Sequence, residues 1–124
     1  MKVKNVRIRI RSEAEFRDEI TADMKKIWKG EKVEPKEAIS FTSVEAMDKF
    51  LTKERLRILK VIRKEHPASI YELAKILKRD LKNVSDDVHF LANLGLIELK
   101  KSKTGRKQVT PSVAYDQIVM EIPV

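Results

Sequence analysis

The chain has 124 residues, with 27 Lys and Arg against 19 Asp and Glu, two His and no Cys. That length admits one compact domain, or a small domain with a substantial extension, and 42% apolar residues exclude wholesale disorder. A charged fraction of 37%, with no apolar run near the ~18 residues of a transmembrane helix, excludes a membrane-spanning protein.

The N-terminal MKVKNVRIRIR lacks the apolar core of a signal peptide, so a cytoplasmic location is expected. Val6, Ile8 and Ile10 alternate with Arg7, Arg9 and Arg11, the period of a strand with one wet face. Ser12 and Glu15 form a capping box that opens a helix. Phe16, Ile20, Met24, Ile27 and Trp28 recur along that helix, and Gly30 is placed to end it. A polar loop over 31–36 leads to a second short strand marked by Ile39 and Phe41. Ser43 then opens a short helix carrying Val44, Met47, Phe50 and Leu51.

From Thr52 the pattern becomes a run of helices. Thr52 caps one with an apolar face of Leu56, Leu59, Val61 and Ile62, ending before His66-Pro67. Ser69 and Glu72 make a second capping box ahead of Ile70, Leu73, Ile76 and Leu77. After the polar turn Lys78-Arg79-Asp80, a third helix over 81–94 carries Val84, Val88 and Leu91 and stops at Gly95. Leu96, Ile97 and Leu99 start a strand, and Ser102–Lys107 is the turn of a hairpin. The chain is expected to return through Val109 and Val113 to Ile118–Ile122. Pro111 places that return strand at an edge or interrupts it.

Three short helices followed by a basic hairpin is the order of a winged helix-turn-helix. The segment SIYELAKILKRDLKNVSDDVHFLANLGLIEL resembles winged-helix regulators of the MarR/ArsR-like kind, through Val84-Ser85, Val88, Leu91 and Gly95-Leu96-Ile97. The stretch from about Ser43 is also similar to small transcriptional regulators common in archaea, some encoded beside toxin genes. The resemblance covers roughly residues 43–122. It implies a winged helix-turn-helix domain over 43–124. The residue pattern ahead of it reads as an N-terminal β-α-β-α extension whose β-α-β part, 1–42, is the candidate dimer or partner surface, so the expected class is α+β.

The residues themselves point to double-stranded DNA. Residues 1–51 carry 12 basic and 10 acidic side chains, whereas 52–124 carry 15 and 9, so the net charge of +8 lies mainly in the C-terminal part. In helix 81–94 the apolar stripe leaves Lys82, Asn83, Ser85, Asp86 and His89 as the candidate base-reading set of a helix in the major groove. Lys101, Lys103, Arg106 and Lys107, with Lys100, crowd the hairpin and are the candidates for phosphate contact. Asp86 would be repelled by phosphate; its open options are a cytosine N4 amine, Lys82 or His89. Asp87 sits nearer the buried edge and is expected to pair with a basic residue inside the domain.

An enzyme is not expected. Ser85, Asp86 and His89 share one helix face and cannot form a triad with an oxyanion hole. His66 and His89 are the two histidines, no carboxylate cluster offers a metal site, and Gly30, Gly95 and Gly105 are too isolated to cradle a phosphate. No cofactor is implied. The expected function is a sequence-specific transcriptional regulator on duplex DNA, as a homodimer. The stripe from Phe16 to Trp28 is the dimer or partner surface, or folds back on the first winged-helix helix. The alternative is an antitoxin-like interaction module that binds a small toxin-like protein and autoregulates. An RNA-associated winged helix is a third reading, less favoured without an aromatic platform near the wing.

Overall fold

The computed structural model describes residues 5–32, 38–101 and 108–124. Their elements run β1 (Asn5–Ile10), α1 (Glu13–Trp28), β2 (Ala38–Phe41), α2 (Val44–Phe50), α3 (Lys53–Glu65), α4 (Ile70–Leu77), α5 (Leu81–Asn93), β3 (Glu98–Lys101), β4 (Val109–Ser112) and β5 (Gln117–Glu121). The protein is α+β and divides into two compact units, one holding residues 5–50 with 117–124 and the other holding 51–116.

The first unit is a parallel three-stranded sheet in the order β2-β1-β5. β1 pairs with β2 in the register Ile8↔Ile39 and Ile10↔Phe41, and with β5 in the register Val6↔Ile118 and Ile8↔Met120. One sheet face is therefore apolar, with Ile8 fully buried. On the other face Arg7 and Arg9 each approach the Glu121 carboxylate at 3.4 Å. Ser12 accepts from the Glu15 N–H and opens α1, and Gly30 closes it with φ +76, the left-handed backbone that costs glycine least. Ser43 Oγ accepts from the Ala46 N–H at the start of α2. Phe50 at the end of α2 stacks on Phe41, ring centroids 5.5 Å apart.

Two expectations change here. Residues 118–122 do not continue the hairpin; β4 ends at Ser112 and β5 pairs with β1, completing the second edge of a strand that would otherwise be open. The division of the chain accordingly falls at 50/51 and 116/117, not at 42/43, and α2 joins the N-terminal unit.

In the second unit α3, α4 and α5 pack on one another around Ile58, Leu59, Ile62, Leu73, Ala74, Leu77, Val84, Val88 and Leu91. Ile58 takes the core place expected for Leu56, which is 37% exposed, so the buried face of α3 is turned from the expected one. Ile76 is likewise exposed, and Ala74 faces inward. Thr52, Ser69 and Asp80 cap the three helices through the N–H groups of Arg55, Glu72 and Asn83. Glu72 Oε2 in turn accepts from the Ala68 N–H, one residue before the cap.

β3 and β4 form an antiparallel pair in which Leu99 faces Pro111 and Lys101 faces Val109. With two strands, each is an edge, so the N–H that Pro111 lacks is tolerated. β4 is tied to the helices: Thr110 Oγ1 donates to the Ala68 carbonyl at 2.7 Å, and Arg63 donates to the Val113 carbonyl at 3.2 Å and pairs with Asp116. Tyr115 donates its hydroxyl to the Leu96 carbonyl at 2.9 Å, and burial pushes that hydroxyl from its ordinary 10.0 up to about 12.

Candidate nucleic-acid interface

The candidate face is that of α5. Its register is set by Val84, Val88 and Leu91, each fully buried, which fixes what the opposite side presents. Lys82, Asp86, His89 and Asn93 are exposed at three- and four-residue spacings, and half-buried Ser85 lies on the same side. Asn83 is exposed as well, but at 3.6 residues per turn it is rotated about 100° from Lys82, towards Asp87 and Phe90. The structure therefore brings Lys82, Ser85, Asp86 and His89 onto one stripe and sets Asn83 on its flank.

His89 is held by its own helix. Its Nδ1 lies 2.7 Å from the Ser85 carbonyl oxygen, which can only accept, so Nδ1 carries the proton. In the neutral ring Nε2 is then an acceptor. The Ser85 hydroxyl is 3.4 Å from the same Nδ1. Asp86 stays exposed on the stripe.

Asp87 is removed from that stripe, as its position nearer the buried edge implies. Its Oδ1 accepts from Arg55 Nε at 3.1 Å and its Oδ2 from Arg79 Nη2 at 3.1 Å. Arg55 also lies over the Phe90 ring, 3.9 Å from its centroid. Arg79 Nη1 is buried without a hydrogen bond among the described residues, with the Glu54 carboxylate 3.7 Å away. One carboxylate thus ties α5 to α3 and to the turn between α4 and α5. Neither arginine was singled out from the sequence; Arg55 and Asp87 lie 32 residues apart, and no local pattern links them.

Of the hairpin candidates, Lys100 pairs with Thr110 in the ladder and Lys101 is exposed at the end of β3. Lys103, Arg106 and Lys107 lie outside the described residues. A further aromatic and cation pair sits on α4, where Lys75 Nζ is 4.7 Å from the Tyr71 ring centroid and Tyr71 is exposed. Its four-residue spacing was the signal that could have found it. Among the described residues, no three His, Asp or Glu gather in a way that could hold a metal ion, and no helix is long and apolar enough to cross a membrane.

These residues define an α+β protein whose second unit presents a polar helix stripe and carries a two-stranded hairpin. The chain belongs to the HVO_A0114 family, whose model matches residues 50–120. That span covers α3 to β4 and reaches into β5. No curated protein and no solved structure matches the chain.

Proposed function

We propose that the protein is a winged helix-turn-helix regulator that binds double-stranded DNA, of the MarR/ArsR-like kind, acting as a dimer on two related half-sites. The observation that carries this reading is the polar stripe of α5 opposite its fully buried Val84, Val88 and Leu91. Helix α4, a turn of three residues, helix α5 and the β3–β4 hairpin follow in the order such a domain needs. Lys82, Ser85 and His89 supply donors and acceptors for base edges, with Asn83 at the flank. Lys101, Lys103, Arg106 and Lys107 of the wing supply phosphate contacts, which give affinity without sequence information.

Asp86 and Asp87 together gave the helix a net negative charge, the feature least suited to DNA. The pairing of Asp87 with Arg55 and Arg79 leaves Asp86 as the one carboxylate on the stripe. A single acceptor there suits a cytosine N4 amine. The test is selection of bound sequences from random duplex DNA at fixed salt. Enrichment of a symmetric motif supports the reading, and recovery of all sequences alike opposes it.

A further inference from the structure

The parallel sheet of the first unit has two edges, and they are built differently. β2 has four residues and lies beside Arg11, whose guanidinium binds the Ser40 hydroxyl and pairs with Glu19. β5 has five residues, with no lysine, proline or glycine among them. Among the described residues, no backbone group of Gln117–Glu121 bonds beyond the ladder to β1. The N–H and C=O of every second residue therefore point outward unpaired, along an edge about 17 Å long. Elsewhere the chain guards its edges. β3 carries Lys100 and Lys101, and β4 carries Pro111.

The side chains say what strand this edge fits. The register with β1 sets Ile118 beside Val6 and Met120 beside Ile8 on the apolar face, and Ile122 follows at the same spacing. Ile8 is fully buried, whereas Met120 is 52% exposed and Ile122 50%. The apolar face stops short at β5, and a strand that continues it must set an apolar side chain against Met120. β5 meets that need itself. About a two-fold axis normal to the sheet through Val119, an antiparallel copy sets Ile118 opposite Met120, Val119 opposite itself and Gln117 opposite Glu121. All five residues are then paired, and both apolar faces stay on one side. Glu121 meets a neutral amide and keeps its own Arg7 and Arg9. An axis through Glu121 would set carboxylate against carboxylate. An axis through Ile118 or Met120 would leave one end of the strand opposite residues outside it.

We propose that β5 pairs antiparallel with the β5 of a second copy of this chain, joining two three-stranded sheets into one of six strands. The contact is isologous and closed, so it makes a dimer and stops there. It rests on the dimeric part of the proposed function and not on DNA contact. A monomer that still selects a duplex motif overturns the pairing alone, and a β5-paired dimer that binds all sequences alike overturns the DNA reading alone.

The experiment is sedimentation equilibrium of the full chain from about 1 μM to 1 mM, a range that covers the affinity of a small interface. A monomer–dimer equilibrium is expected. Met120→Lys places a guard on the edge twice per dimer and should raise the dissociation constant at least about 10-fold. The circular dichroism spectrum should not change, because Met120 is half exposed. Register is read by introduced thiols, which act alone in a chain without cysteine. In the proposed pairing the two copies of residue 119 have Cα atoms about 5 Å apart, within reach of a disulfide, and the two copies of residue 120 are about 8 Å apart, beyond it. Val119→Cys should therefore oxidise to a crosslinked dimer faster than Met120→Cys, although Met120 is the more exposed position. A monomer throughout the range overturns the proposal. A dimer indifferent to Met120→Lys, or Met120→Cys crosslinking as fast as Val119→Cys, overturns it as well.

Discussion

Asp87 Oδ2 lies 3.1 Å from Arg79 Nη2, joining the body of α5 to the turn that precedes it. The same carboxylate reaches Arg55 on α3, and the side chains of Asp87, Arg55 and Arg79 are each less than a quarter exposed. Removing the charge leaves Arg79 with the Glu54 carboxylate at 3.7 Å and a buried Nη1 that makes no hydrogen bond among the described residues. Asp87→Asn is therefore expected to cost about 2 kcal/mol of stability, the scale of a lost hydrogen bond to a charged group. Asp86→Asn, one residue away and exposed, should leave stability within about 0.5 kcal/mol. Urea denaturation of the two variants checks the contrast, and equal midpoints would remove the structural role given to Asp87.

Lys78 at the end of α4 has φ 54, in the left-handed region, with the Arg79 N–H bonded back to the Ala74 carbonyl at 3.1 Å. A lysine pays for its Cβ in that conformation and a glycine does not. Lys78→Gly is expected to stabilise the protein by about 1 kcal/mol, seen as a higher denaturation midpoint. A lower midpoint would mean that the lysine side chain contributes more than its backbone costs.

What the sequence disclosed and what it hid divide along one physical line. Caps are local: Ser12, Thr52 and Ser69 each bind an N–H three residues on, so they are readable from spacing alone. The same holds for Gly95, whose φ of +84 ends α5 where a glycine was expected to end it. The stripe of α5 was readable because Val84, Val88 and Leu91 keep strict helical spacing. Partners distant in the chain were not readable. Nothing in Gln117–Glu121 says that it will lie beside Asn5–Ile10 rather than beside the hairpin, and the alternation of β1 reads as well for an antiparallel strand as for a parallel one. Parallel strands are usually apolar on both faces. Here Arg7 and Arg9 break that habit by sharing Glu121, a residue at the far end of the chain. On α3, Leu56 and Ile58 both fit an apolar face, and which of them turns inward is decided by packing rather than by pattern.

The Tyr115 hydroxyl, bonded to the Leu96 carbonyl, has its folded-state value raised by burial to about 12. A raised value means that the folded protein keeps this proton where the unfolded chain has lost it. The stability it contributes is therefore whole below pH 10 and falls as pH rises from 10 towards 12. Tyr115→Phe lacks that slope but gives up a hydrogen bond of about 1 kcal/mol at lower pH. The stability gap between wild type and variant should narrow across this window. A gap that stays constant to pH 12 would show that the hydroxyl does not titrate with the fold.

On the proposed function, the wing and α5 should fail in different ways. Neutralising Arg106 and Lys107 removes phosphate contacts, so binding to every duplex should weaken and the salt dependence should flatten, by about one unit of log–log slope per lost contact. Changing α5 should instead alter which sequence is preferred. His89 is the sharper probe, because its Nδ1 proton is committed to the Ser85 carbonyl at 2.7 Å and the neutral ring keeps one acceptor. An acceptor selects an adenine N6 or cytosine N4 donor in the major groove. His89→Ala should relax selection at one position of each half-site, a loss of about 1 kcal/mol of discrimination there, the scale of one hydrogen bond, with affinity for unrelated duplex unchanged. Fluorescence anisotropy on the selected motif, on the motif changed at that position and on random duplex separates the two outcomes. Uniform weakening on all three would remove His89 from the base-reading set.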